Sequence, residues 1–329
     1  MYDVENFDAV FEHGGYSESL VNDIQTNQHA LGGRTFFERL LDVLGIKLDR
    51  RMYPPSTPTI LLDLHMRITN SRISLHYKHC LIFYMLKDIS SSSPSMPDVA
   101  QAMAKNVHLD KRFYSFIEGI WELDHLQFET AVQNLTYPGL IATFPDEILM
   151  VLLTRGGMGV GGRGGAGGAK QGLAAAYFEC VNPPLKSEAV RREYAAYLAR
   201  RNVTEMYYWI RSRPDEEHYP LLEILVQETL SREHAHDDPL YPREDKAEEL
   251  VSLPFTEEEE DWLEQFLSEG RGRALRGAED TVNVRRIANG KFAEFVGANG
   301  SKGRRYGGVN WEGLRDGVRR GIGARGEVV

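Results

Sequence analysis

The chain has two cysteines, Cys80 and Cys180, among its 329 residues. So few thiols supply neither a disulfide framework nor a zinc cluster. Long apolar runs are also missing. Stretches such as Ile148–Leu153 fall far short of the roughly 20 residues that cross a bilayer. The first residues include Asp3, Glu5 and Asp8, with no basic stretch ahead of an apolar one, so no secretory leader is expected. These absences predict an intracellular, soluble protein. Strand signals are wanting as well: no convincing period-two alternation appears, and no hairpin dipeptide sits between β-branched runs. What is present suits a globular chain, with 42% hydrophobic and 26% charged residues and ample length for a core.

The residues that are there read as helix after helix. Thr35 and Glu38 form a capping box ahead of Phe36, Phe37, Leu40, Leu41, Val43 and Leu44, with Gly45 at the stop position. Thr57 followed by Pro58 opens a second helix, since proline in the first turn forfeits no hydrogen bond. Leu75–Leu86 continues the pattern, and Pro97-Asp98 starts another helix. Phe113, Phe116, Ile117, Ile120 and Trp121 give the best 3.6-residue stripe, and Phe128, Ala131, Val132 and Leu135 the next. Thr256 and Glu259 make a second capping box before Trp262, Leu263, Phe266 and Leu267, with Gly270 as the stop. Asn202 and Asn310 read as N-caps. Ten or more short helices and no strands predict an all-α fold. No stripe is long enough for an extended bundle, so the expected architecture is an irregular α-solenoid of antiparallel helix pairs.

Residues 155–168 hold nine glycines and two arginines, a composition that cannot order a backbone by itself and that predicts a flexible insert over 155–169. Gly159, Gly161 and Gly164 formally satisfy a dinucleotide-binding spacing. So many glycines meet that spacing by chance, however, and no strand–helix alternation surrounds them. A Walker A reading fails because Ala169 and Gln171 flank Lys170. His76, His79 and Cys80 lack a completing ligand pair, and His234 and His236 sit in a polar loop. The acidic run Glu257–Asp261 is accounted for by a helix N-terminus. No nucleophile–base–orienter set is visible, so neither catalytic residues, metal nor cofactor are expected.

Charge is divided unevenly. Residues 271–329 carry thirteen Lys/Arg and six Asp/Glu, a balance of +7, which leaves −17 on residues 1–270 of a chain whose net charge is −10. An acidic body with a basic Gly/Arg-bearing tail suits protein partners along the body and polyanions at the tail. Arg271, Arg273, Arg304, Arg305, Arg319 and Arg320 are the candidate nucleic-acid or histone contacts, although Ala274 stands where an AT-hook needs proline.

Several stretches together resemble the ELYS-like domain of fungi: Phe36 to Ile46, Tyr53-Pro54-Pro55, Gly119 to His125 with Phe128-Glu129 and Ala131, and Leu135 to Pro138. Pro254 to Glu259 with Trp262-Leu263, and Asp280-Thr281 followed by Arg285-Arg286, fit the same family. The resemblance implies residues 35–270 as an ELYS-like α-helical domain, preceded by a partly helical segment 1–34 and followed by the basic tail 271–329. It further implies a structural nucleoporin in the nucleus, at the nuclear pore complex. Its partners there would be other nucleoporins of the Y-shaped outer-ring subcomplex, in support of pore assembly and of mRNA and protein transport. The chain looks like the short fungal form, without the propeller of the longer animal proteins. The alternative is a chromatin or nucleic-acid adaptor that works through the tail.

Loop-closure entropy grows by only about 0.6 kcal/mol per doubling of loop length. Replacing residues 155–169 with a short Gly/Ser linker is therefore expected to leave the thermal midpoint nearly unchanged. A loss of folding, or nucleotide affinity that vanishes with the replacement, would restore the phosphate-loop reading.

Overall fold

Helix is the local structure of nearly every segment that the capping and periodicity signals mark. The computed structural model describes residues 3–12, 14–49, 52–92, 98–155, 172–231, 241–297 and 309–322, and no β-strand occurs among them. The fold is all-α. The Gly-rich insert from residue 156 onward, His234 and His236, and Arg304 and Arg305 lie outside the described residues. The chain divides into two compact units, Met1–Pro184 and Leu185–Val329.

The first unit contains α1 (Phe7–Val10), α2 (Glu18–Ala30), α3 (Phe36–Val43), α4 (Pro58–Thr69), α5 (Leu75–Ser91), α6 (Val99–Asn106), α7 (Lys111–Asp124), α8 (Phe128–Leu135), α9 (Pro145–Arg155) and α10 (Leu173–Val181). Both local signals at its start are realised. The Thr35 hydroxyl accepts from Glu38 N–H while the Glu38 carboxylate accepts from Thr35 N–H, and Thr57 caps α4 with Pro58 in the first turn. Gly45 ends α3 with φ +77°, a conformation that costs glycine little. The centre of the unit is α5. Every residue from His79 to Leu86 is buried, so the helix is enclosed on all sides rather than amphipathic. Around it, α6 and α7 pack on α5, α3 packs on α7, and α7 lies closely along α8.

The second unit contains α11 (Glu188–Arg201), α12 (Val203–Arg211), α13 (Asp215–Leu230), α14 (Arg243–Ser252), α15 (Glu257–Ser268), a 3₁₀ turn (Arg271–Ala274), α16 (Ala278–Ala288), α17 (Phe292–Gly297) and α18 (Trp311–Arg319). Here α13 plays the central part. Leu221, Leu222, Ile224, Leu225 and Val226 are all buried, and α11, α12 and α14 pack against this helix. Thr256 and Glu259 form the expected reciprocal cap on α15, and Asn202 and Asn310 cap α12 and α18. Gly270 does follow α15, but not in the left-handed conformation, since its φ is −81°. Its reason is close approach: a Cβ there would lie 2.8 Å from the Phe266 carbonyl oxygen, and one on Gly272 would lie 2.4 Å from the Phe266 ring. The Gly-Arg-Gly-Arg stretch is thus pressed against a buried aromatic.

Helices α7 and α8 pack tightly at Gly119 of α7. A Cβ at this position would sit 2.6 Å from Cγ of Leu135 on α8. Alanine improves helix propensity by about 1 kcal/mol, but overpacking a rigid contact costs about 1–3 kcal/mol. Gly119→Ala is expected to lower stability in urea titration. A stabilised variant would show that α8 yields at Leu135.

Candidate functional site

The family-like motifs of the first unit converge on two buried carboxylates. Asp124 ends α7. Its two oxygens accept from the N–H groups of Phe36 (2.6 Å) and Phe37 (2.9 Å), the first residues of α3, and from the Tyr84 hydroxyl of α5 (2.8 Å). The Thr35 hydroxyl accepts from the Glu38 N–H, and the Glu38 carboxylate accepts from the Thr35 N–H. The four N–H groups that a helix start leaves open are therefore all satisfied, two of them by a residue 88 and 87 positions away. A carboxylate at this position also complements the positive end of the α3 dipole.

Asp88 lies on the enclosed helix α5 and is wholly buried. It accepts from the hydroxyls of Tyr16 and Tyr53 (2.7 Å each) and from the Trp121 indole N–H (2.8 Å). His125 stacks on Trp121, with ring centroids 3.8 Å apart. Its Nδ1 lies 2.8 Å from the Trp121 carbonyl, a bond that requires a proton on Nδ1. Nε2 then faces Asp88 Oδ1 at 3.5 Å, so this contact is attractive when either the imidazole or the carboxyl holds a further proton. The two clusters meet through aromatic rings: Phe37 stacks on Tyr84 at 4.1 Å and Tyr53 lies 6.2 Å from Tyr84. Chemically the arrangement ties chain segments together. Asp124 joins α7 to α3, and Asp88 joins α5 to the segments bearing Tyr16 and Tyr53.

Burial pushes the Asp124 carboxyl up to about 7, against the pull of its two backbone donors and Tyr84, and the neighbouring Asp88 charge adds to the rise. Asp88 is raised as well, chiefly by burial, against its His125, tyrosine and tryptophan partners. Desolvation outweighs hydrogen bonding at both sites.

In the second unit, arginines do the equivalent work at helix ends. Arg285 of α16 binds both oxygens of Glu260 on α15 and donates to the carbonyls of Val251 (2.5 Å) and Leu253 (3.0 Å), which close α14. Its guanidinium lies 4.6 Å from the centre of the Phe255 ring. A cation there satisfies open carbonyls and complements the negative end of α14. Arg211 rests on the Tyr207 ring at 5.0 Å and binds Glu259 at 2.6 Å. Arg243 donates to the carbonyl of Leu230, the last residue of α13, at 3.2 Å.

Of the arginines singled out in the tail, Arg271 and Arg273 lie on the 3₁₀ turn, and both are exposed. Arg271 binds Glu223 of α13 at 3.0 Å. Arg319, at the end of α18, binds Asp316 at 3.3 Å and the Val296 carbonyl at 2.9 Å, and Arg320 is exposed at the cap of the same helix. These four residues thus occupy two separate elements. The inward role of Arg285 escapes sequence reasoning, because a helix-end carbonyl as partner leaves no local pattern. Asp88 escapes it too, although a lone acid inside the apolar run Leu81–Ile89 is a signal that could have found it. Among the described residues, no group of His, Cys, Asp and Glu could hold a metal ion, and no helix is long and apolar enough to cross a membrane.

The sequence pattern of the family described as "ELYS: Nuclear pore complex assembly" matches residues 34–270. The chain is 27% identical over 248 residues to the protein ely5 of Schizosaccharomyces pombe, an alignment spanning 74% of this chain and 72% of that relative. It is 24% identical over 220 residues to Protein ELYS of Xenopus laevis, covering 65% of this chain but 8% of the frog protein. The matched segment includes Phe36, Asp88, Asp124, Arg211 and Glu260, and it ends before Arg285.

A carboxyl whose pKa is higher in the folded than in the unfolded chain makes the folded state hold more protons between the two values. Stability then falls as pH rises through that interval. For Asp124 the interval runs from 3.8 to about 7, and Asp88 acts in the same direction. Burial lowers His65 and His79, which act in the opposite sense, so the effect is read as the wild-type midpoint minus that of Asp124→Asn, a difference expected to shrink between about pH 5 and pH 7.5. Asp124→Asn turns an amide N–H₂ toward one α3 donor, at a cost of about 1–3 kcal/mol. It should be less stable throughout. A difference that grows toward pH 7.5 would reverse this assignment.

Proposed function

Because the chain belongs to the ELYS family of nuclear pore complex assembly proteins, we propose that it acts as a structural nucleoporin, an α-helical scaffold component that binds other nucleoporins. Its location is the nuclear pore complex at the nuclear envelope, which follows from the family. Proteins of this family are structural rather than catalytic. The observation that carries the reading is the family match over residues 34–270, across which the family-like motifs serve capping and packing. Pro254 to Glu259 set the start of α15, and Trp121 to His125 build the buried carboxylate clusters.

The finer reading is attachment to the Y-shaped outer-ring subcomplex, in support of pore assembly and of mRNA and protein transport. Helices adjacent in the chain pack on one another, as α7 does on α8 and α12 on α13, which supports an irregular solenoid of helix pairs. Attachment through buried apolar contacts is insensitive to salt, whereas arginine contacts with phosphate or carboxylate are screened over about 8 Å at physiological ionic strength. The tail, at +7, adjusts affinity electrostatically. Exposure of Arg273 and Arg320 supports contact with nucleic acid or histones as a secondary activity of the tail.

Full-length tagged protein is expected at the nuclear rim and should copurify with Y-complex subunits at moderate salt. Replacing Arg304, Arg305, Arg319 and Arg320 with Gln in the full chain should leave both intact while weakening any DNA or histone binding severalfold. If those replacements abolish rim localisation, the basic tail is the targeting element and the helical body its carrier.

A further inference from the structure

We propose that the outer face shared by α13 and α15 is a docking surface for an arginine-bearing peptide segment of a partner protein. Tyr219 of α13 and Trp262 of α15 meet there, with ring centroids 5.8 Å apart. Tyr219 is 41% exposed and Trp262 half-buried. Trp262 is held flat. It stacks on buried Phe266 at 5.2 Å and 7°, and Phe266 is in turn backed by the Gly272 backbone. Trp262 is therefore a fixed ring, and Tyr219 leans against it at 44° to form the platform's second wall.

Carboxylates surround it at helical spacing. Glu216 and Glu223 lie one turn to either side of Tyr219, and Glu258 one turn before Trp262. Glu216 and Glu258 are exposed. The same unit twice seats an arginine on an aromatic ring beside a carboxylate: Arg211 on Tyr207 with Glu259, and Arg285 on Phe255 with Glu260. The platform repeats this pairing of aromatic and carboxylate, but among the described residues no cation rests on Tyr219 or Trp262. Arg271 reaches its edge at Glu223 and leaves the rings open, being itself 81% exposed.

The chemistry selects the occupant. A guanidinium can stack on a ring and bind a carboxylate at once, whereas a lysine ammonium does so less specifically. A nucleic acid would bring phosphates against Glu216 and Glu258, which disfavours base stacking on the same rings. The second unit carries 28 Asp/Glu and 23 Lys/Arg, and this net charge of −5 favours approach of a basic segment. This surface stands on the geometry of the second unit and does not depend on the pore assignment.

The test uses the full chain and a fluorescein-labelled peptide with two spaced arginines in a Gly/Ser background, followed by anisotropy. Matched peptides carry lysine or glutamine instead. Saturable binding of the arginine peptide is expected, severalfold weaker for lysine and absent for glutamine. Trp262→Ala should weaken it at least tenfold. The Glu216→Gln/Glu258→Gln double variant, at exposed first-turn positions, should do the same while lowering the thermal midpoint only slightly, and circular dichroism should show its helix content unchanged. Glu129→Gln in the first unit should have no effect. Absence of saturable arginine-peptide binding, or binding that the double variant leaves unchanged, would overturn the proposal. So would a single-stranded oligonucleotide that competes for the rings. Rim localisation of the double variant, measured alongside, separates loss of this surface from loss of the pore role.

Discussion

Asp124 is the residue on which the first unit turns. One carboxylate at the end of α7 closes the start of α3, draws in Tyr84 from α5, and so holds three helices at a common point. A short helix such as α3 is marginal by itself, because its unsatisfied ends outweigh its few internal hydrogen bonds. The distant cap and the local Thr35–Glu38 box remove that deficit together. The cost is a buried carboxyl whose charged form is disfavoured. Neighbouring Asp88 deepens it, and tyrosine, indole and imidazole groups offset it.

The second unit solves a similar problem with the opposite charge. Its helices α13 and α14 end against guanidinium groups from Arg243 and Arg285, each donating to main-chain carbonyls. Arginine suits this work because its planar fork satisfies several acceptors at once while its flat face covers an aromatic ring. Acidic caps on helix starts and basic caps on helix ends are two uses of one dipole, and the chain applies both over long sequence separations.

What could be read from the sequence follows from how local each relation is. Thr35 with Glu38, Thr57 with Pro58, Asn202 and Asn310 are legible because a cap acts within one helical turn. The all-α class is legible because apolar spacing repeats along the chain. Asp124 belongs to a recognisable motif, yet its partner α3 is distant in sequence, so its role is hidden. Arg285 belongs with Arg286 to a family-like stretch, yet nothing in its neighbours reveals that α14 ends above it. Gly270 reads as a helix stop, whereas close approach of the Phe266 backbone and ring is what requires glycine there and at 272. Of the arginines proposed for the tail, Arg271 already has a carboxylate partner in Glu223 and Arg273 is exposed, a distinction no spacing rule draws.

Arg285 also separates two notions of where a domain ends. The match to the family pattern ends at residue 270. The polar groups that close α14 are completed by a side chain beyond the matched residues, on α16. A folding boundary falls where buried donors and acceptors are all provided for, and here that point lies past α16. The first part of the basic tail is therefore an internal component of the second unit, and a chain cut at residue 270 would leave the end of α14 without the guanidinium that closes it.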